Sequence, residues 1–170
     1  LRDERALVRR RVGLLGHVPS LNDELTALEN VRFAVRAAGL SAERAGPALD
    51  RLGLTGRLGR TPAVRMSAGQ RRRTALAVLV ARGPELWLLD EPHAGLDAQA
   101  RDIVGSLVAE AAASGAAVVL TSHEPELAVP LADRVAVMAG GRVAELQSGR
   151  RGAAVERVLV ALSRDDVDVA

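Results

Sequence analysis

Two short, uninterrupted apolar runs, Leu86-Trp-Leu-Leu89 and Ala116-Ala-Val-Val-Leu-Thr121, constrain the fold of this 170-residue chain more than any other feature. Runs of this length without alternation read as strands covered on both faces, the habit of parallel sheets sandwiched by helices. Amphipathic helical segments separate them, so the pattern favours an α/β layer architecture over a bundle or a sandwich.

The remaining elements follow from local signals. A short run over 12–15 ends at Gly16. Thr26-Ala-Leu-Glu29 has capping-box spacing and introduces a helix through about Ala38, closed by Gly39. A second helix is expected over 42–52, stopped at Gly53, and residues 53–64 read as loop. Ser67-Ala-Gly-Gln70 repeats the capping-box spacing and opens a helix of about fourteen residues. Residues 98–113 carry Ile103, Leu107 and Ala111 on one helical stripe. Pro125 starts a short helix that Pro130 shortens, and the runs 134–138 and 142–146 flank Gly140-Gly141 as a hairpin at the sheet edge. The last twenty residues, 151–170, read as a helix followed by a frayed acidic tail, outside a domain spanning 1–150.

Composition removes several function classes. All 23 basic residues are arginine, so the high isoelectric point of about 10.7 reflects arginine chemistry at a formal net charge of only +2. With one Phe and one Trp, the stacking platforms of single-strand and RNA binders are missing, and nucleic acid is not an expected partner. The absence of cysteine excludes thiolate metal sites and thiol nucleophiles. No apolar run approaches the roughly 18 residues that would span a bilayer, so a membrane role would be peripheral. The chain opens on Leu1, not Met, from which an N-terminal truncation is expected.

Chemistry concentrates where the strand 86–89 ends in Asp90-Glu91-Pro92. A buried strand delivering two acids into the crevice at its carboxyl end is how open α/β sheets present functional groups. Asp90 can hold Mg²⁺ through oxygen, and Glu91 can orient or deprotonate a water; equally, both acids can cap a turn. Ser67, Gly69 and Gln70 open a helix whose amides and dipole suit an anion, though Ser-x-x-Gln is also an ordinary cap. Asp97 reads either as a site residue or as the N-cap of the next helix. His123 follows a buried strand and could meet a phosphate or a water, or be a satisfied polar residue. His17 and His93 read as surface histidines, and Arg71, Arg72 and Arg73 as a solvated helix face, with Arg72 or Arg73 able to pair with nearby acids.

In order and spacing these pieces resemble the ABC ATPase family, over about residues 13–146. Met66-Ser-Ala-Gly-Gln70 is similar to the family signature motif, with Ala68 where glycine is usual. Leu86-Trp-Leu-Leu-Asp-Glu91 resembles Walker B, Gly95-Leu-Asp97 the D-loop, and His123 falls at the switch histidine. Leu21 and Glu24-Leu-Thr26 align after the Q-loop, which puts His17 where most members have glutamine. Within the family, His17, Glu24-Leu-Thr-Ala-Leu-Glu-Asn30, Ser67-Ala-Gly-Gln-Arg-Arg-Arg73 and Leu86-Trp-Leu-Leu-Asp-Glu-Pro92 are similar to ATPase subunits of the bacterial haem exporters of cytochrome c maturation.

The resemblance implies a P-loop NTPase-like α/β domain with an inserted helical subdomain over about 24–82, of which 26–54 would dock on a membrane permease. It also implies ATP and Mg²⁺ as ligands and a second ATP-binding subunit as partner, at the cytoplasmic face of the membrane. Asp90 and His17 would serve Mg²⁺, Glu91 the attacking water, His123 the γ-phosphate and Asp97 communication between sites. Ser67, Ala68, Gly69 and Gln70 would face the partner subunit's nucleotide. The family's Gly-x-x-x-x-Gly-Lys-Ser/Thr loop needs a lysine, and the chain has none, so its N-terminal strands and Walker A are expected to be missing.

Overall fold

The computed structural model describes residues 8–148 and 158–163. Strands β1 (Val12–Leu15), β2 (Leu86–Asp90) and β3 (Ala117–Ser122) run parallel, with Leu15 opposite Leu89 and Asp90 opposite Thr121. Their carboxyl ends therefore finish at one rim of the sheet. Trp87, Leu89, Val118 and Leu120 are buried, whereas Leu86, Leu88 and Val119 are only half-buried. The expectation of strands covered on both faces holds fully for one face and in part for the other.

The longest helices between β1 and β2 are α1 (Ala27–Ala37), α2 (Ala45–Arg51) and α3 (Ala68–Arg82). Both capping boxes form, Thr26 with Glu29 and Ser67 with Gln70, each satisfying amides that a helix start leaves orphaned. Asn30 is buried on α1 and donates to the carbonyls of Asn22, Leu25 and Thr26 while accepting from the Asn22 amide, which fixes the loop entering the helix. Helix α3 packs against α1 and α2 and buries Leu76 and Leu79; Gly83, at φ 59, ends it in the left-handed conformation that glycine adopts without strain. Residues 53–64 are more ordered than their turn-rich composition suggests. A single-turn helix forms at Gly56–Gly59, and Pro62 bridges back to Thr26.

Helix α4 (Ala98–Ala113) connects β2 to β3 and covers the sheet with Val104, Leu107 and Val108. The short helix α5 (Pro125–Ala128) leads to a hairpin of β4 (Arg134–Ala139) and β5 (Arg142–Ser148), whose Gly140 and Gly141 both have positive φ as a type I′ turn requires.

The C-terminal expectation is corrected most sharply. Val158–Ser163 is not a helix but strand β6, and the sheet order β1-β2-β3-β6-β4-β5 puts it in the interior, parallel to both neighbours. Val158, Val160 and Leu162 alternate into the core while Leu159 and Ala161 are half-buried, a period of two rather than 3.6. Asp133 anchors the strand start, its amide donating to the Val158 carbonyl and its carboxylate accepting from the Val158 amide. Without β6, the facing edges of β3 and β4 would present unpaired backbone groups, a strong incentive for any β-prone segment to fill the gap. The sheet thus extends past the expected boundary at residue 150; the rest of 151–170 lies outside the described residues.

Candidate active site

The carboxyl rim of the parallel strands opens into a cleft of about 520 Å³. His17, Asp90, Glu91, Thr121, Ser122 and His123 line one side, and the β4–β5 turn with the end of β6 lines the other. The register explains the gathering: Asp90 and Thr121 are directly opposite on adjacent parallel strands, and Glu91 and His123 follow them as the chains leave the sheet. This is where open α/β sheets bind ligands.

Within the cleft the polar groups are tied to one another. The Thr121 hydroxyl donates to Asp90 Oδ1 at 2.8 Å and accepts from the Glu91 amide at 3.3 Å. The His123 amide donates to Glu91 Oε2 at 3.3 Å, and its imidazole Nε2 lies 3.6 Å from Oε1. The Glu91 side chain is 15% exposed, against 71% for His123. Glu91 is also the one non-glycine residue with positive φ, 49°, among the described residues. Such backbone costs about 1–3 kcal/mol and persists only where its surroundings hold it. Chemically, the arrangement offers a hard oxygen ligand at Asp90, a proton acceptor at Glu91 and a hydrogen-bonding imidazole at its shoulder.

The signature-like segment sits apart from this cleft. Ser67 and Gln70 cap α3 reciprocally at 3.2 and 3.0 Å, with Ser67 and Ala68 exposed. Gly69 backs onto the turn before α4, where a Cβ would lie 3.0 Å from the Gly95 carbonyl. Asp97 caps α4, its Oδ1 accepting from the Ala100 amide at 2.8 Å. Ser67, Ala68, Gly69, Gln70 and Asp97 therefore form a second group on the surface, while His17, Asp90, Glu91 and His123 share the first.

Two expectations from the sequence are corrected. The three arginines are not one solvated face: Arg72 is 5% exposed and donates to backbone carbonyls, Arg71 pairs with Asp23 at 2.6 Å, and Arg73 reaches the Leu52 carbonyl. His93 is not a surface residue either, at 3% exposed. Thr121 and Arg72 are the site residues that sequence reasoning missed. Both lie beside residues that the motifs singled out, but only strand register and helix packing bring Thr121 to the acids and the Arg72 guanidinium to their backbone carbonyls.

His93 gives the fold a pH dependence. Burial pushes its pKa below the ordinary value, with Arg101 acting in the same direction and Glu124 opposing. Its Nδ1 has no hydrogen-bond partner among the described residues. The unfolded chain then takes up this proton before the folded one does, so stability is complete above about pH 6.5 and declines as pH falls below it. Chemical denaturation of His93→Leu between pH 7 and pH 5 is expected to show a shallower loss than the parent; parallel curves would remove His93 from this role.

Among the described residues no helix is long and apolar enough to cross a membrane. The sequence profile of the ABC transporter family matches residues 1–94. The cytochrome c biogenesis ATP-binding export protein CcmA of Nitrosomonas europaea is 40% identical over 112 residues, covering 65% of this chain and 52% of that protein. The energy-coupling factor transporter ATP-binding protein EcfA2 of Symbiobacterium thermophilum is 42% identical over 142 residues, covering 80% of this chain and 49% of its own length. The chain thus spans about half the length of the curated relatives it matches. Among solved structures, the dimeric post-hydrolysis state of the ATP-binding cassette MJ0796 bound to ADP and Pi superposes with a TM-score of 0.79 at 24% identity, over 88% of this chain and 67% of that one.

Proposed function

The chain belongs to the ABC transporter family, and from that premise we propose that it is part of an ATP-hydrolysing subunit that drives export of haem for cytochrome c biogenesis. The observation that carries the hydrolytic reading is the gathering of Asp90, Glu91 and His123 on one rim of the sheet. Asp90, with Thr121 fixing one of its oxygens, fits Mg²⁺, which is ordinarily held by one or two carboxylates, waters and substrate phosphates rather than by a protein cage. Bound Mg²⁺ supplies charge neutralisation on the phosphates.

In this reading Glu91 accepts a hydrogen bond from the attacking water and takes its proton. His123, held beside Glu91, donates to the γ-phosphate. His17 reaches the cleft from the end of β1; as a nitrogen donor it suits the water shell of Mg²⁺ better than the ion itself. The exposed Ser67 and Ala68, with the half-buried Gly69 and Gln70, face the nucleotide of a second ATP-binding subunit, and Asp97 lies at the same surface to link the two sites. No Gly-x-x-x-x-Gly-Lys loop exists in a chain without lysine, so in this reading these residues supply the acids and the signature-like helix but not the lysine-bearing phosphate cradle. The assembly is peripheral, on the cytoplasmic face, with an integral membrane permease docked on residues 26–54.

The relatives named for cytochrome c biogenesis support haem as cargo. A second reading, the ATPase of another transporter, is favoured by the EcfA2 likeness, which extends over more of the chain. Disruption of the gene separates them: staining for covalently bound haem is expected to lose the c-type cytochromes while b-type cytochromes persist. Normal c-type cytochromes in the disrupted strain would reject the haem reading.

A further inference from the structure

Arg72 projects from the second turn of α3 into the space beneath the cleft, where it is 5% exposed. Its Nη1 donates to the Glu91 carbonyl at 2.6 Å and to the Asp90 carbonyl at 3.2 Å, and its Nη2 donates to the His17 carbonyl at 2.8 Å. One guanidinium thus ties three backbone segments together: the end of β2, the segment after β1 and the helix that Ser67 caps. Its planar fork suits this task, because two nitrogens can hold separate carbonyls at fixed spacing, which a lysine ammonium does not reproduce. The same carbonyl group it grips most closely belongs to Glu91, the residue with the left-handed backbone.

We propose that Arg72 is a positioning residue: it holds Glu91 in its strained conformation and joins the helix bearing Ser67 to the segments bearing Asp90, Glu91 and His17. The inference builds on the hydrolytic reading of the cleft, yet the backbone restraint itself is independent of nucleotide. A displacement of the α3 start, such as engagement of Ser67 by a partner's nucleotide would produce, passes through the rigid helix to Arg72 and from there to Glu91. Thr121 restrains the same residue from the opposite side through the Glu91 amide.

Amide hydrogen exchange on the 170-residue chain tests this. Hydrogen bonds from a charged donor contribute enough that Arg72→Met is expected to raise exchange about tenfold or more in segments 88–92 and 15–19, with α4 and β4 changing much less. Arg71→Met, which breaks the pair with Asp23 and the bond to the Ala63 carbonyl but removes no contact with either segment, is the control and should leave both as they were. If Arg72→Met does not fold, Arg72→Lys, which keeps the charge but not the fork, is measured by the same criterion. A rise spread evenly over the sheet, no rise at all, or an equal effect from Arg71→Met would each overturn the proposal. Because exchange is read without ATP, failure of Glu91 as the hydrolytic acid would leave this result standing, and the converse also holds.

Discussion

Glu91→Gln in a phosphate-loop-bearing form of this subunit is expected to lower Mg-ATP turnover by about 10²- to 10⁴-fold, the usual contribution of a positioned general base. Glutamine matches glutamate in size and retains an oxygen for the His123 amide, so the hydrogen bond to Glu91 Oε2 has a neutral replacement and the backbone tie to Arg72 is untouched. What is lost is the negative charge and the capacity to take a proton. ATP affinity should therefore persist while kcat collapses, the signature of an interaction made in the transition state only. Single-turnover kinetics with a binding measurement in parallel would check it. Turnover equal to the parent would remove Glu91 from the reaction and leave Asp90-Glu91 as a structural turn.

Val160→Asp is expected to abolish cooperative folding of the chain. Val160 is fully buried at the centre of β6, opposite Leu120 on one side and Val135 on the other. An unpaired buried charge costs at least about 3–5 kcal/mol, a large part of the roughly 5–15 kcal/mol that stabilises a domain. Loss of β6 would then leave the edges of β3 and β4 unsatisfied. Thermal denaturation followed by circular dichroism is the measurement; a parent-like melt would show that residues 158–163 are dispensable to the sheet and reverse their placement in it. The effect would also reach the site, because Ala161 and Leu162 form part of the cleft wall.

Where local sequence decides structure, the sequence was a sufficient guide. The two capping boxes, the helix at 98–113, the Gly140-Gly141 turn and the acids at the tip of β2 depend on contacts within a few residues or on one period of hydrophobicity. The expectation of a helix failed at 158–163 because Val158-Leu-Val-Ala-Leu162 is too short an apolar run for its period to identify it, and its neighbours in the sheet lie more than twenty residues away in sequence. His93 and Arg72 were misjudged for a related cause. A histidine or arginine is ordinarily exposed, and nothing within a few positions announces that distant segments will cover it.

The order of motifs along the chain, set by residue identity and spacing, was enough to establish the α/β architecture, the family and which acids stand at the end of β2. Only the folded sheet decided that Asp90 meets Thr121, that Glu91 adopts a left-handed backbone between Thr121 and Arg72, and that a C-terminal strand closes the gap between β3 and β4. The physical reason is that strand register and the burial of a long cationic side chain are properties of pairs of distant segments, whose energies no single stretch of sequence contains.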